Sequence, residues 1–374
     1  MDAKVANRGI DRVFLRELLE VPSESHRLKE LDHALDVVKT WLEARGVWCT
    51  METNSAGYAG LLAATRPGKV HDYLFVSHVD VVPAPKAMFT YREEGDRFFA
   101  RGACDTKGNV VAICAALANL VGKGADVACF LATDEEGGPK GTPNGVKPVP
   151  TAQMMIDRGY GARRLILVAD TAGEEPGQLF VAEKGHAHFT LIAHGKGGHS
   201  SRPWALDNPV PKLCRAYLQF QEAWEKGADP KEHWRTVLSP TILQASDVLN
   251  VVADSASMRF SCRYICMEDF HRAVAELKRT GLEVVASPGR LPVVNREGEP
   301  EIAQLLKAMN ATIPGGMREG KMSAATDASF FAVLKVPIVI WTAIGGEPHS
   351  EREWGSLSSL DAYADFFSDY FLSH

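Results

Sequence analysis

Four short apolar runs, each leading to side chains of the kind that bind metal ions, place the strongest constraint on how this chain can fold. The runs are YLFV (73–76), VACFLA (127–132), LILVA (165–169) and VPIVIWTAI (336–344). Runs that are apolar on both faces are typical of buried strands in a mostly parallel sheet. Since ligands bind beyond the carboxyl ends of such strands, the pattern predicts an α/β domain with polar side chains gathered at one edge of its sheet.

The polar side chains that follow these runs are imidazoles and carboxylates, and one more carboxylate enters through the glycine-rich segment RGACDTKGN (101–109). A donor set without thiolates suits Zn²⁺, with Co²⁺ or Mn²⁺ as alternatives. An excess of carboxylates favours two divalent metal ions, because a carboxylate can bridge them, and a further carboxylate must then act as the base. Asp105 has an alternative role as a helix cap, because it precedes a helical pattern. The candidates are His78, Asp80, Asp105, Glu135, Glu136, Asp170 and His349.

A change of pattern near residue 183 predicts a second domain. From there the order is strand, helix, strand, strand, helix, strand, with Met258, Phe260, Cys262 and Tyr264 on one face of a strand. This order is that of the split βαβ, or ferredoxin-like, α+β arrangement. We therefore place an inserted domain at 183–296, and the catalytic domain at 1–182 and 297–374.

Composition excludes several classes of partner. The net charge of −6 without a basic block argues against nucleic acid, and no apolar run approaches the roughly 18 residues that a membrane span needs. The first residues lack an apolar signal core. The seven cysteines are scattered singly, so we expect reduced thiols and a cytoplasmic protein.

The motifs together resemble the M20 family of di-zinc metallopeptidases, the group that includes acetylornithine deacetylase, succinyl-diaminopimelate desuccinylase, dipeptidases and glutamate carboxypeptidase. The resemblance covers nearly the whole chain, and its motifs occur in the family's order. They are HVD (78–80), RGACDTKG (101–108), DEEGG (134–138), KGGHSSRP (196–203), LNVV with RFSCR (249–263) and PHS (348–350).

The resemblance implies a role for each candidate of the first domain. One metal ion is held by His78, Asp105 and Asp170 and the other by Asp105, Glu136 and His349, so that Asp105 bridges them. Asp80 fixes the tautomer and pose of His78. Glu135 is the general base and then the acid toward the leaving nitrogen. The peptide bond between Asp105 and Thr106 is expected to be cis, as is common in the family.

The resemblance also implies substrate-binding residues. His199 polarises the scissile carbonyl and reaches the partner's active site in dimeric relatives, so we expect a homodimer formed through the inserted dimerisation or lid domain. Asn250 and Arg263 hold the substrate carbonyl and carboxylate; a solvent-facing strand position is the alternative for Arg263. Thr326 lies in SAATDAS (323–329), where relatives commonly carry a pocket-lining Gly-Gly-Thr-Asp loop.

The sequence is compatible with three functions. The first is a dipeptidase or exopeptidase that cleaves short peptides, which Asp170 favours because aspartate at that position tends to accompany dipeptidases and aminopeptidases. The second is an N-acyl-amino-acid deacylase or a carboxypeptidase, with the same chemistry and a different pocket. The third is a metal-free peptide-binding relative, which the presence of every ligand and of Glu135 argues against.

Overall fold

The computed structural model describes residues 9–137, 148–170, 177–229 and 231–374. These residues form two compact units. The larger contains residues up to Ala182, Asn295–Gly320 and Thr326–His374, and the smaller contains Glu183–Val294 and Lys321–Ala325. The sequence predicts that Lys321–Ala325 belong to the catalytic domain. They belong to the smaller unit because the backbone N–H of Lys184 donates to the carbonyl of Met322 (3.0 Å).

Helices and strands occur throughout the described chain. The helices are α1 (Arg12–Glu20), α2 (Leu28–Glu43), α3 (Lys107–Leu120), α4 (Thr151–Asp157), α5 (Pro209–Glu225), α6 (Met267–Arg279), α7 (Pro300–Thr312), α8 (Ala328–Phe331) and α9 (Leu357–Ser373). The strands are β1 (Trp48–Thr53), β2 (Ala59–Ala64), β3 (Val70–His78), β4 (Arg92–Glu94), β5 (Arg97–Phe99), β6 (Val127–Ala132), β7 (Gly161–Ala169), β8 (Gln178–Glu183), β9 (Gly185–His194), β10 (Gly198–His199), β11 (Val237–Gln244), β12 (Val251–Val252), β13 (Ser255–Tyr264), β14 (Glu283–Arg290), β15 (Val293–Val294), β16 (Arg318–Met322), β17 (Ile338–Trp341), β18 (Gly345–Gly346) and β19 (Trp354–Ser356). Short 3₁₀ turns lie at Lys86–Phe89, Pro203–Ala205 and Ala332–Leu334.

A mixed sheet forms the centre of the larger unit, and its strands run in the order β1-β2-β6-β3-β7-β17-β8. Strand β3 pairs in parallel with β6 and with β7, and β17 pairs in parallel with β7. The four apolar runs of the sequence are these four strands. Their carboxyl ends meet at one edge of the sheet, which confirms the predicted α/β architecture and its polarity.

Helices bury the sheet because their apolar positions repeat at helical spacing. In α1 the buried side chains are Phe14, Leu15, Leu18 and Leu19, and Asp11 caps the helix by accepting hydrogen bonds from the N–H groups of Val13 (3.0 Å) and Phe14 (3.2 Å). Each such buried apolar side chain contributes about 1.5–3 kcal/mol. Helix α3 is apolar nearly all round and is buried along most of its length, so the segment that follows Asp105 is anchored in the core.

An antiparallel ribbon, β18-β19-β5-β4, brings two distant segments of the larger unit together. Trp354 lies opposite Phe99, and Gly355 lies opposite Phe98. Gly355 is required here, because a Cβ atom at this position would lie 2.4 Å from the ring of Phe98. The ribbon therefore places the segment after Phe99 against residues 345–356.

The smaller unit contains a four-stranded antiparallel sheet in the order β11-β13-β9-β14, with α5 and α6 in its connections. Met258, Phe260, Cys262 and Tyr264 are buried as the alternation of β13 predicts. Phe220 of α5 belongs to the same core. The order of elements is the predicted split βαβ arrangement.

The peptide bond between Asp105 and Thr106 is cis, as expected. All seven cysteines lie in the described residues and are free thiols. Within the described chain, every helix is too short or too polar to cross a bilayer.

Candidate metal centre

The carboxyl edge of the parallel strands collects the candidate ligands. Strand β3 ends at His78, and β7 is followed directly by Asp170. Glu136 lies in the turn after β6, and His349 lies in the loop after β18. Asp105 is in the loop just before α3. Strand polarity thus gathers residues that are far apart in the chain, as the sequence predicted.

The first group of ligand atoms centres on the imidazole of His78. Its Nε2 atom lies 3.3 Å from Oδ1 of Asp105 and 4.0 Å from Oδ2 of Asp170. All three residues are buried, and one nitrogen or oxygen from each lies within 4.8 Å of the others. This is the predicted ligand set of one metal ion.

The second group shares Asp105 with the first. Nε2 of His349 lies 3.1 Å from Oδ2 of Asp105 and 2.9 Å from Oε1 of Glu136. Ligand atoms from these three residues also lie within 4.8 Å of one another. Asp105 presents one oxygen to each group, which is the geometry of a bridging carboxylate.

Two buried atoms show that the first group suits a cation. The Nδ1 atom of His78 lies 2.9 Å from the carbonyl oxygen of Asp80 and therefore carries the proton. This leaves the lone pair of Nε2 facing the carboxylate of Asp105. Within the described residues, neither Nε2 of His78 nor Oδ1 of Asp105 has a hydrogen-bond partner. Unpaired buried acceptors are costly, and a divalent cation between them would satisfy both.

The pKa shifts of the candidate ligands also favour a bound cation. Burial lowers the pKa of His78, but the carboxylates of Asp105 and Asp80 raise it well above its usual value. Burial and then the charge of Glu135 raise the pKa of Asp170 far above its usual range. Asp105 and Glu136 raise the pKa of His349 to about 10. So many acidic groups around two imidazoles favour any bound cation, whether a proton or a metal ion.

Asp80 does more than the sequence indicated. Its carbonyl oxygen sets the tautomer of His78, while its carboxylate accepts the backbone N–H groups of Glu135 (3.2 Å) and Glu136 (3.0 Å). The hydroxyl of Ser25 donates a further bond of 2.8 Å to the same carboxylate. Asp80 is fully buried. Its carboxylate thus holds the backbone of the two adjacent glutamates in place.

The two adjacent glutamates both act on candidate ligands of the centre. Glu136 contacts His349 in the second group. The charge of the Glu135 carboxylate raises the pKa of Asp170 in the first group, and only burial raises it more. The charge of Glu136 also raises the pKa of Asp170, so both adjacent glutamates act on the first group, and Glu136 in addition contacts His349 of the second.

Thr326 has a structural role that the sequence had not indicated. It is 4% exposed, and its hydroxyl accepts the N–H of Ala328 (3.1 Å) at the start of α8. A place in a substrate pocket remains a prediction for this residue.

In the smaller unit, a short ladder brings His199 beside Asn250. Strand β10 pairs with β12, and the N–H of Ser200 donates to the carbonyl of Asn250 (3.0 Å). Nδ1 of His199 accepts the N–H of Ser201 (3.2 Å). The imidazole therefore carries its proton on Nε2, and both His199 and Asn250 are exposed.

Arg263 lies on the face of β13 opposite the core, where it forms part of a cationic cluster. Its strand neighbour across the sheet is His186, which in turn lies opposite Arg290. Burial and the charge of Arg263 lower the pKa of His186 to about 4. The charge of buried Glu183 opposes this effect at Arg263, so this cluster lies close to one protein carboxylate.

Sequence reasoning missed three residues that contact this centre: Ser25, Arg101 and Glu353. Glu353 accepts the N–H groups of Cys104 (3.1 Å) and Asp105 (3.2 Å), and it pairs with Arg101. Only their positions in the sequence could have indicated them. Arg101 is the first residue of the segment that contains Asp105, and Glu353 lies four residues after His349. Neither position identifies a partner without the fold.

Comparison with known proteins gives consistent results. The sequence model described as peptidase family M20/M25/M40 matches residues 74–373. A succinyl-diaminopimelate desuccinylase of Rhodospirillum centenum is 26% identical over 359 residues, which cover 87% of this chain and 88% of that protein. One of Gluconobacter oxydans is 30% identical over 225 residues, or 56% of this chain and 55% of that protein.

Among solved structures, aminopeptidase PepT from Bacillus cereus superposes with a TM-score of 0.75 at 18% identity. The match covers 98% of this chain and 100% of that one. At this level of identity the likeness concerns the fold.

Proposed function

This chain belongs to peptidase family M20/M25/M40, whose members are metal-dependent hydrolases of amide bonds, and from that premise we propose that it cleaves short peptides, most directly dipeptides. The observation that carries the proposal is the pair of three-ligand groups that share the carboxylate of Asp105. A shared carboxylate suits two metal ions held about 3.5–4 Å apart, as in two-metal hydrolases. The donor set of imidazole and carboxylate supports zinc, with cobalt or manganese as alternatives.

We assign the metal ligands as the resemblance implies. His78, Asp105 and Asp170 would hold one ion, and Asp105, Glu136 and His349 would hold the other. When bound, the ions supply Lewis-acid activation of a water molecule and of the substrate carbonyl.

Glu135 moves the proton in this proposal. Its backbone N–H donates to Asp80, and the charge of its carboxylate raises the pKa of Asp170 in the first ligand group. It takes a proton from the attacking water as the carbon–oxygen bond forms. It then gives that proton to the amide nitrogen as the carbon–nitrogen bond breaks, so that the products are a carboxylic acid and an amine.

Residues of the smaller unit would bind the substrate. The Nε2–H group of His199 is suited to donate to the scissile carbonyl. The guanidinium of Arg263, in its cationic cluster, is suited to a substrate carboxylate through paired hydrogen bonds, and Asn250 stands next to His199. The family resemblance also supports a homodimer formed through this unit, with His199 reaching the partner's site.

A second candidate is deacylation of an N-acyl amino acid. The relatives from Rhodospirillum centenum and Gluconobacter oxydans, both succinyl-diaminopimelate desuccinylases, favour it. Asp170, which replaces the glutamate typical of deacylases, favours the peptidase. Both reactions use the same metal ligands and the same base, and they differ in the group that the pocket accepts.

A hydrolysis panel on the zinc-loaded protein separates the two. Dipeptides of varied terminal residues are compared with N-acetyl and N-succinyl amino acids, and kcat/KM for the best dipeptide should exceed the others by about tenfold or more. A preference for N-succinyl substrates would favour the second candidate. Glu135→Gln, purified in parallel, excludes a contaminant, and Glu17→Gln, at an exposed position on α1, is the matched control. Failure to cleave any member would contradict both candidates.

A further inference from the structure

A buried ion pair beside the metal centre has no part in the chemistry described so far. Nη1 of Arg101 lies 2.6 Å from Oε2 of Glu353, and the two side chains are 3% and 0% exposed. They meet because the ribbon of β5 and β19 aligns the segment after Phe99 with the segment that contains Glu353. Such a pair needs an explanation, because burying two charges costs about as much as their attraction returns.

The ion pair links the backbones of two metal ligands. Oε1 of Glu353 accepts the N–H of Asp105 at 3.2 Å. At the other end, Nη2 of Arg101 donates to the carbonyl of His349 at 3.1 Å. A continuous chain of hydrogen bonds therefore runs from Asp105 through Glu353 and Arg101 to His349, and these two ligands both belong to the second group.

His349 needs such support more than the other ligands do. Its side chain is 48% exposed, whereas those of Asp105 and Glu136 are 4% and 10% exposed. Its backbone also has a φ of 60°, in the left-handed region that non-glycine residues seldom adopt. Packing alone does not hold this imidazole, so the position of its backbone depends on hydrogen bonds such as the one from Arg101.

The pair is also imperfect as a stabilising element. Within the described residues, Nε of Arg101 is buried without a hydrogen-bond partner. A buried donor left unpaired costs stability. An apolar pair of similar volume would often serve the fold as well or better.

We propose that Arg101 and Glu353 are positioning residues that preform the second metal group by tying the backbone of His349 to the backbone of Asp105. The inference rests on the proposed two-metal function and adds to it a means of setting the affinity of one site independently of the other. Residues that orient metal ligands typically change metal affinity by about 10-fold to 100-fold when they are replaced.

The test is a zinc titration of the metal-free protein in competition with a chromophoric chelator. The principal variant is the double replacement Arg101→Met with Glu353→Gln. It removes both charges, and the glutamine oxygen still accepts the N–H groups of Cys104 and Asp105. The hydrogen bond to His349 is lost. The affinity for the second zinc equivalent should fall by about 10-fold to 100-fold while the first changes little.

Reference variants identify which group has changed. His349→Ala removes a ligand of the second group and His78→Ala a ligand of the first, so the double variant should resemble the former in a weaker form. Activity of the double variant should return as the zinc concentration rises, because its ligands and its base are intact. The matched control is Arg279→Met with Glu276→Gln, a surface ion pair on α6 whose side chains are 73% and 23% exposed, and it should leave both affinities unchanged.

The outcomes are distinct. Equal weakening of both equivalents together with a lower melting temperature of the metal-free protein would make the pair merely structural and overturn the proposal. Unchanged affinities would also overturn it. Wild-type protein that binds fewer than two zinc ions would instead refute the proposed function, and the inference with it.

A second variant covers the case in which the double variant does not fold. Arg101→Lys keeps a positive charge beside Glu353 but lacks the second N–H group that reaches His349. It should show the same selective loss at the second equivalent, and unchanged affinity in a folded Arg101→Lys protein would overturn the proposal.

Discussion

Lys107 should carry a neutral amine in the folded protein above neutral pH. The side chain is fully buried, and burial lowers its pKa to about 7, against the opposing influence of Glu353 and Asp80. Its Nζ atom donates to the carbonyls of Val21 (2.7 Å) and Leu18 (3.2 Å) at the end of α1. A neutral amine has two N–H bonds, and these two carbonyls satisfy both.

The pH dependence follows from this shift. The pKa of Lys107 falls from 10.5 to about 7 on folding. Between these values the unfolded chain binds one proton more than the folded chain, so the free energy of unfolding rises with pH by up to about 1.4 kcal/mol per unit. Between about pH 7 and about pH 10 this single group contributes an increase of about 3–4 kcal/mol. That is a large part of the roughly 5–15 kcal/mol by which proteins are stable.

Lys107→Met removes the titrating group with little other disturbance. The carbonyls of Leu18 and Val21 keep their backbone donors, the N–H groups of Val21 (3.4 Å) and Ser23 (2.9 Å). We therefore expect Lys107→Met to lose the increase in stability with pH, measured by urea unfolding in the presence of a chelator. Lys123→Met, at an exposed position, should keep the wild-type dependence.

Carbon NMR of isotope-labelled lysine provides the direct measurement. One resonance of the wild-type protein should titrate near pH 7, and it should be absent from Lys107→Met. If every lysine resonance titrated near the ordinary value, and the unfolding curves of wild type and variant ran parallel with pH, the reasoning from burial would be wrong.

Three further predictions concern the reaction. Glu135→Gln should lower kcat by about 10²–10⁴ and leave metal content, measured by atomic emission, near that of wild type; retained turnover would remove Glu135 as the base. His199→Ala should lower kcat without removing metal, and a loss of metal would show that its role has been misassigned. Asp80→Asn should weaken the hold on the backbone of Glu135 and lower kcat by about 10², whereas Ser25→Ala, which removes one neutral donor, should have a smaller effect; equal losses in the two variants would contradict the importance of the carboxylate.

The sequence was sufficient for the features that depend on strand direction. Apolar runs that end in polar side chains identify β3 and β7, and parallel pairing then brings His78 and Asp170 together. The same logic places Glu136. The alternation in β13 likewise predicts which of its side chains are buried, because strand periodicity acts over neighbouring residues.

The sequence was insufficient where a contact joins segments that no local pattern relates. Arg101 and Glu353 meet only because a short ribbon aligns their segments, and nothing around either residue indicates the other. The bonds from Asp80 to the backbone of Glu135 and Glu136 escaped prediction for a related reason. They depend on the register between β3 and β6, which side-chain chemistry does not specify.

The separation of the ligands along the chain also has a consequence for how the protein is made. Asp105 and Glu136 precede the smaller unit and His349 follows it, so the second group is incomplete until synthesis has passed through that unit. In the proposed function, an ion held by Asp105, Glu136 and His349 would be a removable cross-link that closes a long loop of polypeptide. Because the binding energy of such an ion would also be folding energy, its capture would stabilise the larger unit only after His349 has been made, and a chelator would remove that contribution.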